Sequence, residues 1–363
     1  MIALLRANIV FIVLFLCTQI CAQTFPVDVY GTDSRTAEKI LKKVGPDLER
    51  RAQYIHSQST GSITEDKNSE FEQAQLKQKV IEAIHQEGDF AFVQISPIIY
   101  QDLKMYITID LIEKKDHKRL GYISDFNFKP TKKTIALKKD KQLNRLLQDW
   151  MTYEKIGFDL ILKGQAPVIK NRPPYHCIFG FDHPKLKRYR FVFEDGAYRQ
   201  KEKLITILKT DPDEERRKTA TFLLAHIKNG QDVIDLLTPF VSDPSSAVRN
   251  SAMRVLGETI CIVNPTNFDI DPIIKALDFP TETDRNKALC IISFLANQPK
   301  YARYIAQHAS APLMVSLKMT QPNLHDNAYN ILRQISGKSY DERDYASWEA
   351  WFAQQAGNEQ NRI

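Results

Sequence analysis

Apolar residues recur at helical spacing through most of the second half of the chain, and one phrase repeats with them. Arg217-x-x-Ala220-x-x-Leu223-Leu224 returns as Arg249-x-x-Ala252-x-x-Val255-Leu256 and as Arg285-x-x-Ala288-x-x-Ile291-Ile292. His325-x-x-Ala328-x-x-Ile331-Leu332 is a worn fourth copy. In each copy the small Ala permits close helix approach, and the apolar pair three and four residues further on shares its face. Asp211-Pro212-Asp213 and Asp243-Pro244 end one helix and start the next, with Asp available to accept unpaired amide hydrogens. Successive Ala positions lie 32, 36 and 40 residues apart, which predicts extra loops or turns at Pro265 to Asp271 and around Pro299 to Pro322. Helices of this kind bury little alone and gain a continuous core by stacking, so residues 198–338 read as a short α-solenoid.

The pattern upstream is mixed. Residues 23–67 give a weak lead-in, with a short helix at Ala37 to Lys43 that Gly45-Pro46 should end. Phe71, Leu76, Val80, Ala83 and Ile84 form an amphipathic helical stripe. Ala91 to Ile95 looks extended, and Pro97 favours an edge strand. Met105 to Leu111 alternates, placing Met105, Ile107, Ile109 and Leu111 inward and Tyr106, Thr108 and Asp110 outward. Residues 68–125 thus predict a small α/β module. Residues 126–197 predict a helical and loop-rich link, with a helix from Asp140 to Leu162 interrupted near Gly157, a turn-rich stretch from Gln165 to Pro184, and Arg188 to Phe193 either extended or leading into the solenoid. The expected fold class is α+β overall: an all-α solenoid preceded by a small mixed module.

Residues 339–363 supply an ending. Gly337 is placed to close the last repeat helix in a left-handed conformation, and Trp348, Trp351 and Phe352 make an apolar patch suited to covering the open end of the solenoid core.

Composition changes this picture little. The 363 residues carry 50 Lys and Arg against 44 Asp and Glu, a formal net charge of +6 without a long single-sign block. Such a diffuse excess describes a mildly basic surface and gives no reason to expect nucleic-acid binding. Residues 1–22 read as a targeting signal, with Arg6 before the apolar run Ile9 to Leu16 and Ala22 as the last residue before cleavage. That run is shorter than the ~20 residues a membrane span needs, and no other stretch suffices. The residues preceding Cys17 and Cys21 do not suit lipidation. The expected location is therefore periplasmic or extracellular, without a lipid anchor. Cleavage would leave Cys177, Cys261 and Cys290, too few for a disulfide framework. Cys261 and Cys290 read as small buried residues, with a bond between neighbouring repeats as the alternative.

The Asp-Pro turns with Arg six residues after the Asp, the three Arg-x-x-Ala copies and the Ile335-Ser336-Gly337-Lys338 to Trp348-x-x-Trp351 ending resemble bacterial exported proteins with HEAT repeats, which have an armadillo-like helical fold. The resemblance is clearest over residues 198–352 and implies scaffolding, partner recognition or assembly in the cell envelope. It supplies no catalytic residue. Some HEAT-like proteins act as bilin lyases or their chaperones, but nothing here matches that activity.

Arg217, Arg249 and Arg285 are first structural residues, each able to bridge to Asp211, Asp243 or Asp278 in its own or an adjacent repeat; a ligand-binding row is the alternative. The best candidate for chemistry is His176-Cys177 with His183, since imidazole and thiolate can hold a transition metal or make an activated nucleophile. The same residues can equally pack a Tyr- and Phe-rich loop. Gly337-Lys338-Ser339 lacks the first Gly of a phosphate loop, and no His-Glu-x-x-His, Gly-x-Ser-x-Gly or dinucleotide fingerprint occurs. No cofactor is expected. The functional expectation is non-enzymatic protein recognition, with the diffuse positive charge steering an acidic partner. A metal- or thiol-dependent envelope enzyme centred on residues 165–184, and a membrane-surface adaptor, are the alternatives.

Overall fold

The computed structural model describes residues 25–59, 67–100, 102–122, 131–165, 169, 175–176 and 178–360. The targeting segment with Cys17, Cys21 and Ala22, and also Cys177, lie outside the described residues. The chain divides into two compact units: the described part of Met1–Asp28 with Asp33–Gly88 and Pro97–Ile107, and Val29–Thr32 with Asp89–Ser96 and Thr108–Ile363.

In the first unit, helices α1 (Ser34–Ser59) and α2 (Lys67–His85) pack together. Ile40, Val44, Leu48 and Ala52 recur every four residues on α1, and Leu76, Val80 and Ile84 do so on α2; all are buried. The expected stop at Gly45-Pro46 does not occur, because α1 runs through Pro46. A proline inside a helix costs about 3 kcal/mol through its missing N–H. Pro46 is on the exposed side, where water can satisfy the freed carbonyl, while Val44 and Leu48 continue the buried stripe on either side. Burial of that stripe outweighs the local loss.

Three strands, β1 (Val27–Tyr30), β2 (Phe90–Ile99) and β3 (Met105–Glu113), hydrogen-bond in the order β1–β3–β2, and each is divided between the two units. Pro97 lies on an edge strand, as its missing donor requires. The central strand β3 departs from the expected half-exposed alternation: Thr108 and Asp110 are as fully buried as Ile109 and Leu111. A central strand covered on both faces has no outward side, so alternation gives the wrong environment for its polar members.

The second unit continues with α3 (His117–Leu120), α4 (Lys132–Leu137), α5 (Lys141–Leu162) and α6 (Tyr189–Thr210). The expected break at Gly157 is absent. This glycine lets the Phe179 ring press against α5, since a Cβ there would lie 2.2 Å from the ring. Arg188 to Phe193 is not extended; Tyr189 onward already belongs to α6. The solenoid follows as α7 (Glu214–Leu224), α8 (Gly230–Leu237), a 3-10 turn (Thr238–Ser242), α9 (Ser246–Val263), α10 (Asp271–Ala276), α11 (Glu282–Leu295), α12 (Pro299–His308), α13 (Ser310–Leu317), α14 (Pro322–Ser336) and α15 (Tyr345–Gln360). The segment expected to add loops before Pro322 instead contributes two helices, α12 and α13.

Helices α7, α9, α11 and α14 carry the four copies of the phrase and pack in that order. Each starts at a residue four before its Arg or His: Asp213, Ser245, Thr281 and Gln321, whose side chains accept amide hydrogens of the first turn. Ala220, Ala252, Ala288 and Ala328, with the apolar pair behind each, are completely buried, and the four pairs belong to one core. The remaining helices pack beside them. The fold is thus a helical HEAT-like region preceded by a small three-stranded sheet. Cys261 is exposed and Cys290 half-buried, both free thiols, because these positions fall off the buried stripe.

Candidate functional site

The repeated arginines point into the protein. Arg217, Arg249 and Arg285 are almost wholly buried, and each donates through Nη1 to the backbone carbonyls six and five residues before it: Asp211 and Pro212, Asp243 and Pro244, Phe279 and Pro280, at 2.8–3.2 Å. Each guanidinium thus ties down its own interhelical turn, and its other donors reach a carboxylate elsewhere. Arg217 pairs with Asp243 of the next repeat at 3.1 Å, and Arg249 with Asp284 at 2.7 Å. Arg285 pairs at 2.7 Å with Asp110 of strand β3 and lies 3.7 Å from the centre of the Tyr30 ring. Asp110 also accepts the Glu282 amide at 2.9 Å. Burial pushes the Asp110 carboxyl up, opposed by Arg285 and that amide.

Two expected partners are different. Asp278 does not bridge to Arg285; its carboxylate accepts the Tyr30 hydroxyl at 2.8 Å, and its backbone carbonyl accepts Arg119. Asp211 supplies only its backbone to Arg217 and pairs through its side chain with Arg216 at 2.8 Å. The physical reason is that a guanidinium whose Nη1 is fixed on its own turn directs its remaining N–H groups away from that turn. The third copy has Phe279 where the others have Asp, so sequence offers Arg249 no partner at the equivalent position. That gap was the available signal for Asp284; nothing in sequence marked Asp110. In the fourth copy His325 replaces Arg, with Nδ1 2.7 Å from the Leu317 carbonyl and Nε2 3.4 Å from Glu342.

Gly337 ends α14 at φ 64°, its amide donating to the Arg333 carbonyl. Trp348 is fully buried between Tyr329 and Tyr340, its indole N–H donating to the Asp341 carbonyl at 3.0 Å, and Trp351 and Phe352 are buried beside it. These aromatic side chains close the core at the α14 end.

The histidines proposed for chemistry serve separate surroundings. His176 is buried, stacked on Phe222 at 5.4 Å, with Nδ1 3.0 Å from a Glu258 carboxylate oxygen. His183 is half-buried and accepts the Lys185 amide at Nδ1, a local turn contact. Among the described residues no group of three or more His, Cys, Asp or Glu could hold a metal ion. The imidazole on which His176 acts is His226, just beyond the end of α7, which the sequence analysis did not single out. It sits among Trp150, Phe181 and Phe193 at ring distances of 5.5–6.4 Å. Burial first, then His176 and Arg190, pull its pKa from 6.5 down to about 3, so its ring is neutral.

His226 lines a cavity of about 640 Å³ between α6 and the start of α8. The opposite wall is α6, which presents Arg190, Glu194, Ala197, Tyr198 and Lys201. Arg190 and Glu194 also line an adjoining hollow of about 450 Å³ edged by Phe191. Phe191 and Tyr198, seven residues apart and so on one face of α6, are 76% and 82% exposed. Tyr198 lines the larger hollow and Phe191 the smaller one.

Residues 202–289 match the family model for HEAT repeats. The HEAT match starts within α6 and ends in α11, covering the three rungs Arg217, Arg249 and Arg285. No curated protein matches the chain. HEAT repeats generally mediate protein–protein interaction or scaffolding. Among the described residues no helix is long and apolar enough to cross a membrane.

Proposed function

We propose that this HEAT-repeat chain is a non-enzymatic recognition scaffold whose partner-binding face is the outer side of α6, and that it acts after export, in the bacterial cell envelope or beyond it. The exposed Phe191 and Tyr198 beside the His226 cavity carry the reading. The repeated arginines are consumed internally, which removes them as ligand contacts, and α6 carries the two most exposed aromatic side chains among the described residues. Export rests on the basic and apolar pattern of residues 1–22.

Capture from native cells tests the reading, with the wild-type chain compared against a Phe191→Ser/Tyr198→Ser double variant and a Phe71→Ser control on α2. The double variant should lose a discrete partner that the control retains. Equal recovery by all three chains would reject α6 as the face. Export is tested by sequencing the amino terminus of the cell-derived protein, which should begin near Gln23; an intact Met1 in the cytoplasm rejects it.

A further inference from the structure

We infer that the His226 cavity binds a carboxylate carried beside an apolar side chain on the partner protein; this rests on the recognition function proposed above and names the partner's anchor. The cavity volume of about 640 Å³ lies within the ordinary range for ligand sites. At its floor His226 is only 3% exposed, and neither ring nitrogen has a hydrogen-bond partner among the described residues. Both nitrogens are themselves closed to solvent, so the neutral ring forms part of the cavity floor and offers the cavity no hydrogen-bonding group.

The rim sets the sign of the charge. Arg190 pairs with Glu194 at 3.1 Å, and Lys201 with Asp232 at 3.1 Å. Both acids of the lining are therefore matched. Lys228 is exposed at the mouth, and no carboxylate pairs with it among the described residues. The same edge is the amino-terminal turn of α8, where Asn229 caps the Gln231 amide and helix polarity adds to the positive potential. A cationic group would meet the uncompensated charge of Lys228 here. A phosphate would need several convergent free donors, and the site has one unmatched cation above apolar walls formed by Ala197, Ile227 and Tyr198. A single carboxylate directed to Lys228, with its apolar neighbour against those walls, matches both the unmatched charge at the mouth and the apolar lining.

The test is calorimetric titration of the full exported chain with acetyl-Phe-Glu-Phe-amide and its Gln counterpart. The Glu peptide should bind at least about tenfold more tightly than the Gln peptide. Lys228→Glu, an exposed substitution that leaves the core intact, should abolish that preference, whereas Lys300→Glu on α12 should preserve it. Equal binding of the two peptides, no binding of either, or a preference unaffected by Lys228→Glu overturns the proposal. Dependence of native capture on Phe191 and Tyr198 without Glu selectivity would overturn this inference alone. Loss of that dependence would instead overturn the recognition face itself.

Discussion

Asp110→Ala tests the physical account of the arginine ladder most directly. The substitution removes the only carboxylate among the described residues that Arg285 contacts at hydrogen-bond distance and also strands the Glu282 amide. Arg285 keeps the Phe279 and Pro280 carbonyls and the Tyr30 ring, so the guanidinium stays fixed while its charge loses compensation. Breaking a buried ion pair by deleting one partner costs about 3–5 kcal/mol. The opposing pull of burial on Asp110 shows that desolvation takes back much of what the pair gains, so an apolar replacement of both partners should behave differently. Asp110→Leu combined with Arg285→Met should recover at least about half of the single-variant loss. Urea unfolding followed by tryptophan fluorescence is the assay. Trp150, Trp348 and Trp351 are the three tryptophans of the chain and all lie in the second unit, so the signal reports on that unit alone. With an m value of about 3 kcal/mol/M, the single variant should lower the midpoint by about 1–1.7 M. A shift below about 0.3 M, or strictly additive losses in the double variant, would refute the coupling.

Three further outcomes follow from the same geometry. His226 has a folded pKa depressed to about 3 against 6.5 unfolded, so its stabilising contribution is complete above pH 6.5 and is lost as pH falls toward 3, at about 1.4 kcal/mol per pH unit; His226→Phe should flatten the dependence of unfolding free energy on pH in that window, and an unchanged slope would contradict it. Gly157→Ala, which in an open helix stabilises by about 1 kcal/mol, should destabilise by about 2 kcal/mol or more, because the new Cβ meets the Phe179 ring; a raised melting temperature would show that the ring moves freely. Trp348→Ala should cost about 3–5 kcal/mol in thermal unfolding by opening a cavity at the α14 end of the core, and a loss under 1 kcal/mol would mean that the cap contributes little.

The solenoid was legible because its signal is periodic and redundant: Ala220, Ala252 and Ala288 each recur with an apolar pair at the same spacing and a Pro in the preceding turn, so errors in one copy are corrected by the others. Features that depend on a single long-range meeting were not legible. Asp110 looked outward because alternation encodes which face a residue takes and says nothing about whether that face is covered. Pro46 looked like a stop because propensity is local, whereas the stripe from Ile40 to Ala52 that overrides it is buried by another helix. His226 carried no signal at all: it follows the apolar run of α7, and only the fold places it at the floor of a cavity. The alternative chemistry at residues 165–184 joined residues by nearness in sequence, and the structure separates His176 from His183 by role.

The last rung of the ladder also bears on how long this array can be. A repeat protein normally grows by inserting another copy of its unit, because each copy offers its successor the partner that the previous one required. Here Arg285 is satisfied by a strand lying 175 residues earlier in the chain, and the next repeat begins with Met319-Thr320-Gln321 and has His325 where the others have Arg. A duplicated copy placed after α11 would bring both an Asp and an Arg, and the new Arg would lie a whole repeat further from Asp110 than Arg285 does. Growth of the array at this point would therefore have to carry the strand along with it, which ties the third rung to one place in the fold.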